Sequence, residues 1–272
     1  MHNYTSSLFH YTGQRKNLIS ILKEGLLPNY CKEQFLVGKS SEFIGIPMVS
    51  FCDIPIMRAQ DFSSRYGKYA IAFTKEWGLK NYISPIFYVY DKRISNAMTY
   101  FRSMENYFGQ LVNDTKKLEL VIDLAKSQKL DKLANLIRFF QTKNANNDLL
   151  GFTKSYEMTK NGKTQINYEE NEWRYVVNEG DDVEWLKGTD AYQAWRGTSK
   201  KKPKAPQKVL EKKLIFSVDD ITYLITQNEV DTMALLQDIR ELKSFCGQVI
   251  TDFDRYKLIN KIISFEKIEN DF

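Results

Sequence analysis

An α+β fold is the reading the sequence supports, on three observations. Short apolar and aromatic runs of strand length recur near the start, a helical pattern replaces them from about Asn96 to Lys143, and strand-like runs return from Tyr156 onward. Strands interrupted by a helical block fit an α+β domain better than a doubly wound parallel sheet. With 272 residues, 43% of them hydrophobic, the chain is long enough to bury a substantial core, and we read it as one domain over 1–272.

Each element has its own justification. Leu8–Tyr11 is apolar and aromatic and reads as a strand. Thr12 is a candidate N-cap for a helix carrying Leu18, Ile19, Ile21 and Leu22 at helical spacing, with Gly25 at its C-terminal cap and Pro28 beyond. An irregular stretch then runs to Gly45-Ile46-Pro47, followed by a buried strand, Met48–Cys52. Asp53-Ile54-Pro55 breaks it and opens a short helix with Met57 and Arg58. Tyr69–Thr74 is a further strand, and Trp77-Gly78 leads to another over Pro85–Tyr90. Leu118, Val121, Ile122, Leu124 and Ala125, then Leu130, Leu133, Ala134, Leu136, Ile137 and Phe140, form an amphipathic helical pair inside an insertion spanning about 96–145. Strands are expected at Tyr156–Met158 and Asn167–Val177, a polar lysine-rich loop over 188–208, and the last main strand at Leu214–Phe216. A mixed helical C-terminus begins at Asp219, with Phe265–Ile268 as an edge strand.

Composition excludes several function classes. The 17 Phe, 16 Tyr and 4 Trp argue against disorder. No apolar run approaches a membrane span, and Met1-His2-Asn3-Tyr4 has no basic or apolar leader pattern, so a cytoplasmic location and no membrane partner are expected. Cys31, Cys52 and Cys246 are odd in number and scattered, which suits reduced thiols, and with 2 histidines no metal site is expected. The net charge of +5 is concentrated at Lys200–Lys208, enough for weak attraction to phosphates without defining a nucleic-acid binder. Neither a Walker A motif nor a Gly-x-Gly-x-x-Gly is present.

Two constellations carry chemistry. His10 leaves a strand beside Tyr11 and Thr12, where a sheet delivers side chains into a cleft; the plain alternative is a histidine satisfied by backbone groups. Glu170 and Glu172 sit two apart on a Tyr/Trp/Val-rich segment, so strand alternation would place them on one face. A carboxylate there can accept a hydrogen bond from a ribose 2′-hydroxyl and stabilise an oxocarbenium ion, while its neighbour serves an incoming nucleophile. The competing reading is an exposed pair on an edge strand, with Arg174 simply pairing with Glu172. Ser50 and Phe51 are core-strand residues that at best face the cleft, and Cys52 has no partner for nucleophilic work besides His10. Arg65 precedes a strand in a loop; a solvated loop is the default reading, and the alternative is an arginine that reaches a pyrophosphate.

Phe9–Thr12, Asn17–Leu26, Pro47–Pro55, Phe73–Gly78 and Glu172–Tyr175 resemble the AbiGi family of bacterial abortive-infection proteins, in order from about residue 8 to the Leu214–Ile221 region. That resemblance implies a role in phage resistance, on the antitoxin side of a two-gene system with a cognate toxin as partner. More distantly, the strand histidine, the Leu-rich helix ending in Gly25-Leu26 and the late-strand Glu172 resemble the ADP-ribosyltransferase superfamily, in particular its DarT-like and RNA phosphotransferase-like branches. This second resemblance implies mixed or antiparallel sheets and NAD as substrate. It implies that His10 binds a ribose hydroxyl with Tyr11 and Thr12 beside it, that Glu172 is catalytic, and that Glu170 assists a protein or nucleic-acid acceptor. It also implies that Arg65 touches phosphate, and that one of Phe51, Tyr66, Tyr69 or Phe73 stacks on nicotinamide, with Ser50 nearby. A non-catalytic module that regulates a partner toxin is the reading from a different class. A nucleic-acid binder using the lysine loop is a third.

Overall fold

The structure, a computed structural model, describes residues 5–37, 40–58, 65–89, 123, 149–160, 163–179, 183–199 and 202–271. The expected helical insertion over 96–145 lies outside the described residues apart from Asp123. The rest is mixed α and β, built on a large mixed sheet.

β1 (Ser7–Thr12) places the consecutive residues Leu8 and Phe9 at 0% and 1% exposure, one in each of two apolar clusters, as a strand covered on both faces must. α1 (Arg15–Glu24) follows from Gln14 rather than Thr12, whose hydroxyl instead accepts from Asn17 Nδ2 at 2.8 Å. Its buried stripe is Leu18 and Leu22, one turn apart. Gly25 ends the helix at φ +91°, where a Cβ would stand 2.6 Å from the Leu214 carbonyl oxygen.

The stretch read as irregular is a long hairpin of β2 (Asn29–Val37) and β3 (Ser40–Cys52), paired from Val37↔Ser40 to Asn29↔Met48. Its polar residues, among them Lys32, Glu33 and Gln34, hide the strand from any hydrophobic pattern. A single 3₁₀ turn, Ile56–Arg58, stands where a helix was expected. β4 (Tyr69–Thr74) has the expected bounds and is buried on both faces, with Ile71 and Phe73 on one side and Ala70 and Ala72 on the other. Thr74 caps α2 (Lys75–Lys80), accepting from the Trp77 amide, and Trp77 stacks on Phe73 with ring centroids 4.3 Å apart. The strand expected over Pro85–Tyr90 is divided into β5 (Ser84–Pro85) and β6 (Phe87–Val89).

β6 pairs with β7 (Thr153–Ser155), and β8 (Glu157–Lys160) pairs with β9 (Lys163–Ile166). The single strand expected over Asn167–Val177 is a 3₁₀ turn, Asn167–Glu170, then β10 (Glu172–Val176). β11 (Leu186–Lys187) lies against β3, and the lysine-rich segment is not an open loop. It contains α3 (Thr189–Arg196) and α4 (Gln207–Leu210), pinned by Ala205 and Val209 in an apolar cluster with Tyr30, Val177 and Val183.

Leu214 makes only an isolated bridge to Leu26, so the strand expected there is absent. Its place is taken by β12 (Ile221–Thr226), where a helical segment was expected, pairing antiparallel with β4 and parallel with β15 (Ile262–Ser264). The expected edge strand at Phe265–Ile268 is a helix, α7 (Phe265–Asp271), after α5 (Glu229–Arg240), the short hairpin of β13 (Ser244–Phe245) and β14 (Gln248–Val249), and α6 (Asp252–Ile259). Strand order among the described residues is β15-β12-β4-β1-β3-β10-β5, with β2 and β11 also on β3. No helix among them is long and apolar enough to cross a membrane.

Candidate functional site

β1, β3 and β10 are neighbours in the sheet, and the ladder between the first two is split. On the edge of β3 that faces β1, Cys52 pairs with Phe9 and Met48 pairs with Asn29 of β2, with no ladder partner among the described residues at Val49, Ser50 or Phe51. The opposite edge is fully laddered to β10, from Glu172↔Cys52 to Val176↔Met48. A cleft of about 350 Å³ opens at this split, lined by β1, β2, β3, Tyr66, Lys154, Glu170 and Glu172.

His10 closes part of the split. Its Nδ1 lies 2.9 Å from the Ser50 carbonyl oxygen, and since a carbonyl only accepts, Nδ1 carries the proton and Nε2 is left as an acceptor. Burial holds the imidazole pKa below its ordinary value, against the smaller upward effect of that bond, so the neutral ring is favoured. The backbone-satisfied reading of His10 is thus correct for one ring nitrogen, while the residue also lines the cleft.

The glutamates meet by a different route from strand alternation. Glu170 ends the 3₁₀ turn, Asn171 takes φ +41° and ψ 53°, a left-handed geometry asparagine tolerates, and only then does β10 begin at Glu172. Both carboxylates reach one ammonium: Lys154 Nζ is 2.8 Å from Glu170 Oε2 and 2.9 Å from Glu172 Oε2. At 2% and 5% exposure, they are not the solvated edge-strand pair of the competing reading. The pairing of Arg174 with Glu172 is real but buried: Nε donates to Oε1 at 2.7 Å and Nη2 to Oε2 at 3.1 Å. Arg174 is 0% exposed and also donates to the Gly151 carbonyl and, at 2.8 Å, to Glu33 Oε1.

Charge in this cluster is unevenly held. Burial alone would raise the Glu172 carboxyl, but Arg174 and Lys154 outweigh it and hold it at about 2. Glu33 lies above its ordinary range, because burial outweighs the pull of Arg174. Burial, with Glu170 and Glu172 adding to it, pushes the Cys52 thiol far up, which removes it as a thiolate nucleophile. Glu172 accepts on three of roughly four carboxylate lone-pair sites, leaving one on Oε1 for a ligand hydroxyl.

At the mouth, Tyr66 donates its hydroxyl to Glu170 Oε1 and its ring lies 6.2 Å from that of Tyr11. Gly67 makes this approach possible: it has φ +121°, and a Cβ there would lie 2.3 Å from the Thr12 carbonyl oxygen. Among the four aromatics considered for stacking, Phe51 and Phe73 are buried at 1% and 0%, and Tyr69 packs on the main apolar cluster. Tyr66, at 39% exposure, is the one of the four that is both exposed and on the cleft.

His10, Tyr11, Ser50, Phe51, Glu170 and Glu172 therefore line one cleft, while Thr12, Arg65 and Tyr69 do not. Arg65 Nη2 instead faces Glu169 Oε2 at 3.9 Å. Sequence reasoning missed Glu33 and Lys154. Neither carries a sequence signal, since Glu33 lies in the stretch that reads as irregular and Lys154 in a segment with no periodicity.

The model of a family described as "Putative abortive phage resistance protein AbiGi, antitoxin" matches residues 24–227. A protein of Lactococcus lactis subsp. cremoris named "Abortive phage resistance protein AbiGi" is 25% identical over 238 residues, covering 84% of this chain and 89% of the relative. No solved structure matches the chain. With the family match running across β2, β3, β4, β10 and β12, the chain belongs to the AbiGi family of abortive phage resistance proteins.

Proposed function

We propose that this protein acts in phage resistance as an ADP-ribosyltransferase-like enzyme that takes NAD as substrate in the cleft over β1, β3 and β10. The observation that carries the reading is that His10 and Glu172, from strands far apart in sequence, line one cleft at a split in the sheet. His10 Nε2 accepts one ribose hydroxyl and the remaining Glu172 lone pair accepts another. The exposed Tyr66 ring offers a stacking face for the nicotinamide. The C1′–N bond to nicotinamide breaks, its electron pair leaving with the nicotinamide, and the ribosyl cation forms beside the ionised Glu172. An acceptor nucleophile of a protein or nucleic acid then bonds to C1′ and gives its proton to the Glu170 carboxylate.

The decisive measurement is titration calorimetry with NAD on the wild-type chain and on His10→Ala, alongside phage plating of cells carrying each. Wild-type binding that weakens by about tenfold or more in the variant, with loss of resistance, is expected for a lost ribose hydrogen bond in a closed site. No NAD binding by the wild type, with resistance intact in His10→Ala, would end the enzymatic reading.

The family description names an antitoxin, and this favours a second reading: a binding module that neutralises a partner toxin. It predicts a stable complex with a neighbouring gene product, unchanged by His10→Ala.

A further inference from the structure

We infer that Lys154 is the positioning residue of the cleft: its ammonium fixes Glu170 and Glu172 at a common point. The inference deepens the reading of the cleft as a ribose site and rests on it. Lysine has three N–H donors, and two are committed, to Glu170 at 2.8 Å and to Glu172 at 2.9 Å. Among the described residues there is no third acceptor. The side chain is 18% exposed and lines the cleft.

Counter-charge alone does not explain the arrangement. Arg174 already gives Glu172 two hydrogen bonds from a fully buried guanidinium, so Glu172 has a partner without Lys154. Glu170 is different, since its other hydrogen bonds come from the neutral Tyr66 hydroxyl and from Gln165 Nε2 at 3.3 Å. Lys154 thus joins the carboxylate assigned to the sugar with the carboxylate assigned to the acceptor. A displacement of its Nζ moves both. A shift of about 1 Å in such groups is enough to cost about 100-fold in rate.

The test uses Lys154→Met, which keeps an unbranched apolar stem without the charge, and Lys154→Arg, which keeps the charge. Thermal melting establishes that each variant is folded; NAD consumption is then measured against pH, and the Glu170 and Glu172 carboxyls are titrated by carbon NMR. Lys154→Met is expected to lower kcat by about 100-fold while KM stays within about threefold, a loss confined to the transition state. Its acid limb should move to higher pH, because a positive charge beside Glu172 is gone. Lys154→Arg should keep the acid limb in place. Wild-type kcat and an unmoved acid limb in Lys154→Met overturn the inference and leave the NAD reading standing. If the wild type does not consume NAD, that reading fails and the NMR titration decides on Lys154. Glu170 and Glu172 signals that both shift in Lys154→Met and are restored in Lys154→Arg then uphold Lys154 as the group that holds the two carboxylates together, and unmoved ones remove it.

Discussion

Trp173 and Tyr175 on one face of β10 pack on the apolar cluster around Phe51, Phe73 and Trp77, whereas Glu172 and Arg174 on the other face meet Glu33 and Lys154. The same strand, with the same period of two, is held by two different physical means. The apolar face depends on volume and dryness, which many side chains of similar size supply. The ionic face depends on each charge having its partner in place, because an unpaired buried charge is costly. An isosteric change should therefore be tolerated on one face and not on the other.

Arg174→Met is the harshest way to break the comparison, since it takes from buried Glu33 its hydrogen-bonded cation and leaves Glu172 with Lys154 alone. It is expected to cost toward the upper end of roughly 3–5 kcal/mol in urea unfolding. Glu172→Gln, nearly identical in shape, should still cost roughly 3 kcal/mol, because Arg174 keeps only Glu33 as a charged partner. A loss of activity in that variant is interpretable only beside its melting temperature.

Acid sharpens the same contrast. Glu172 is held at about 2 against an ordinary 4.5, so its contribution to stability is complete above about pH 4.5 and is lost as pH falls toward 2. Glu33, raised by burial, acts in the opposite sense, its contribution lost as pH rises. Melting temperature against pH in a Glu33→Gln background should show the Glu172 loss without the opposing Glu33 contribution. Tyr175→Phe completes the series on the apolar face and should change stability by less than about 1.5 kcal/mol. A larger loss there than in Glu172→Gln would reverse the comparison.

Legibility in the sequence follows this same division. β1, α1, β4 and the second half of β3 were readable because their apolar residues are contiguous or fall at a helical period. The sequence marks His10, Glu170 and Glu172 as candidates and leaves open whether they meet; the turn at Asn171, not strand alternation, brings the two glutamates together. β2 was not readable, because Lys32, Glu33 and Gln34 break any hydrophobic pattern and the strand owes its place to the ladder with β3. β12 reads as the start of a helical region because Asp219 and Asp220 resemble a helix start, but they belong to a 3₁₀ turn, Val218–Asp220, that leads into a strand. Lys154 lay in a segment with no periodicity, and a lone lysine carries no sequence mark of the two carboxylates it will meet. Partners supplied by distant parts of the chain leave little local trace.

Burial of Arg174 has a consequence for how the chain assembles. The guanidinium draws its partners from β2, from the carbonyl of Gly151 and from its own strand, with Glu33 lying 141 positions away in the chain. A half-assembled sheet with β10 docked and β2 loose leaves that charge short of a partner in a dry place, and the converse leaves Glu33 so. β2 and the late strand β10 each carry a charge that the other answers, and β3, which they flank, is complete only when both are in place.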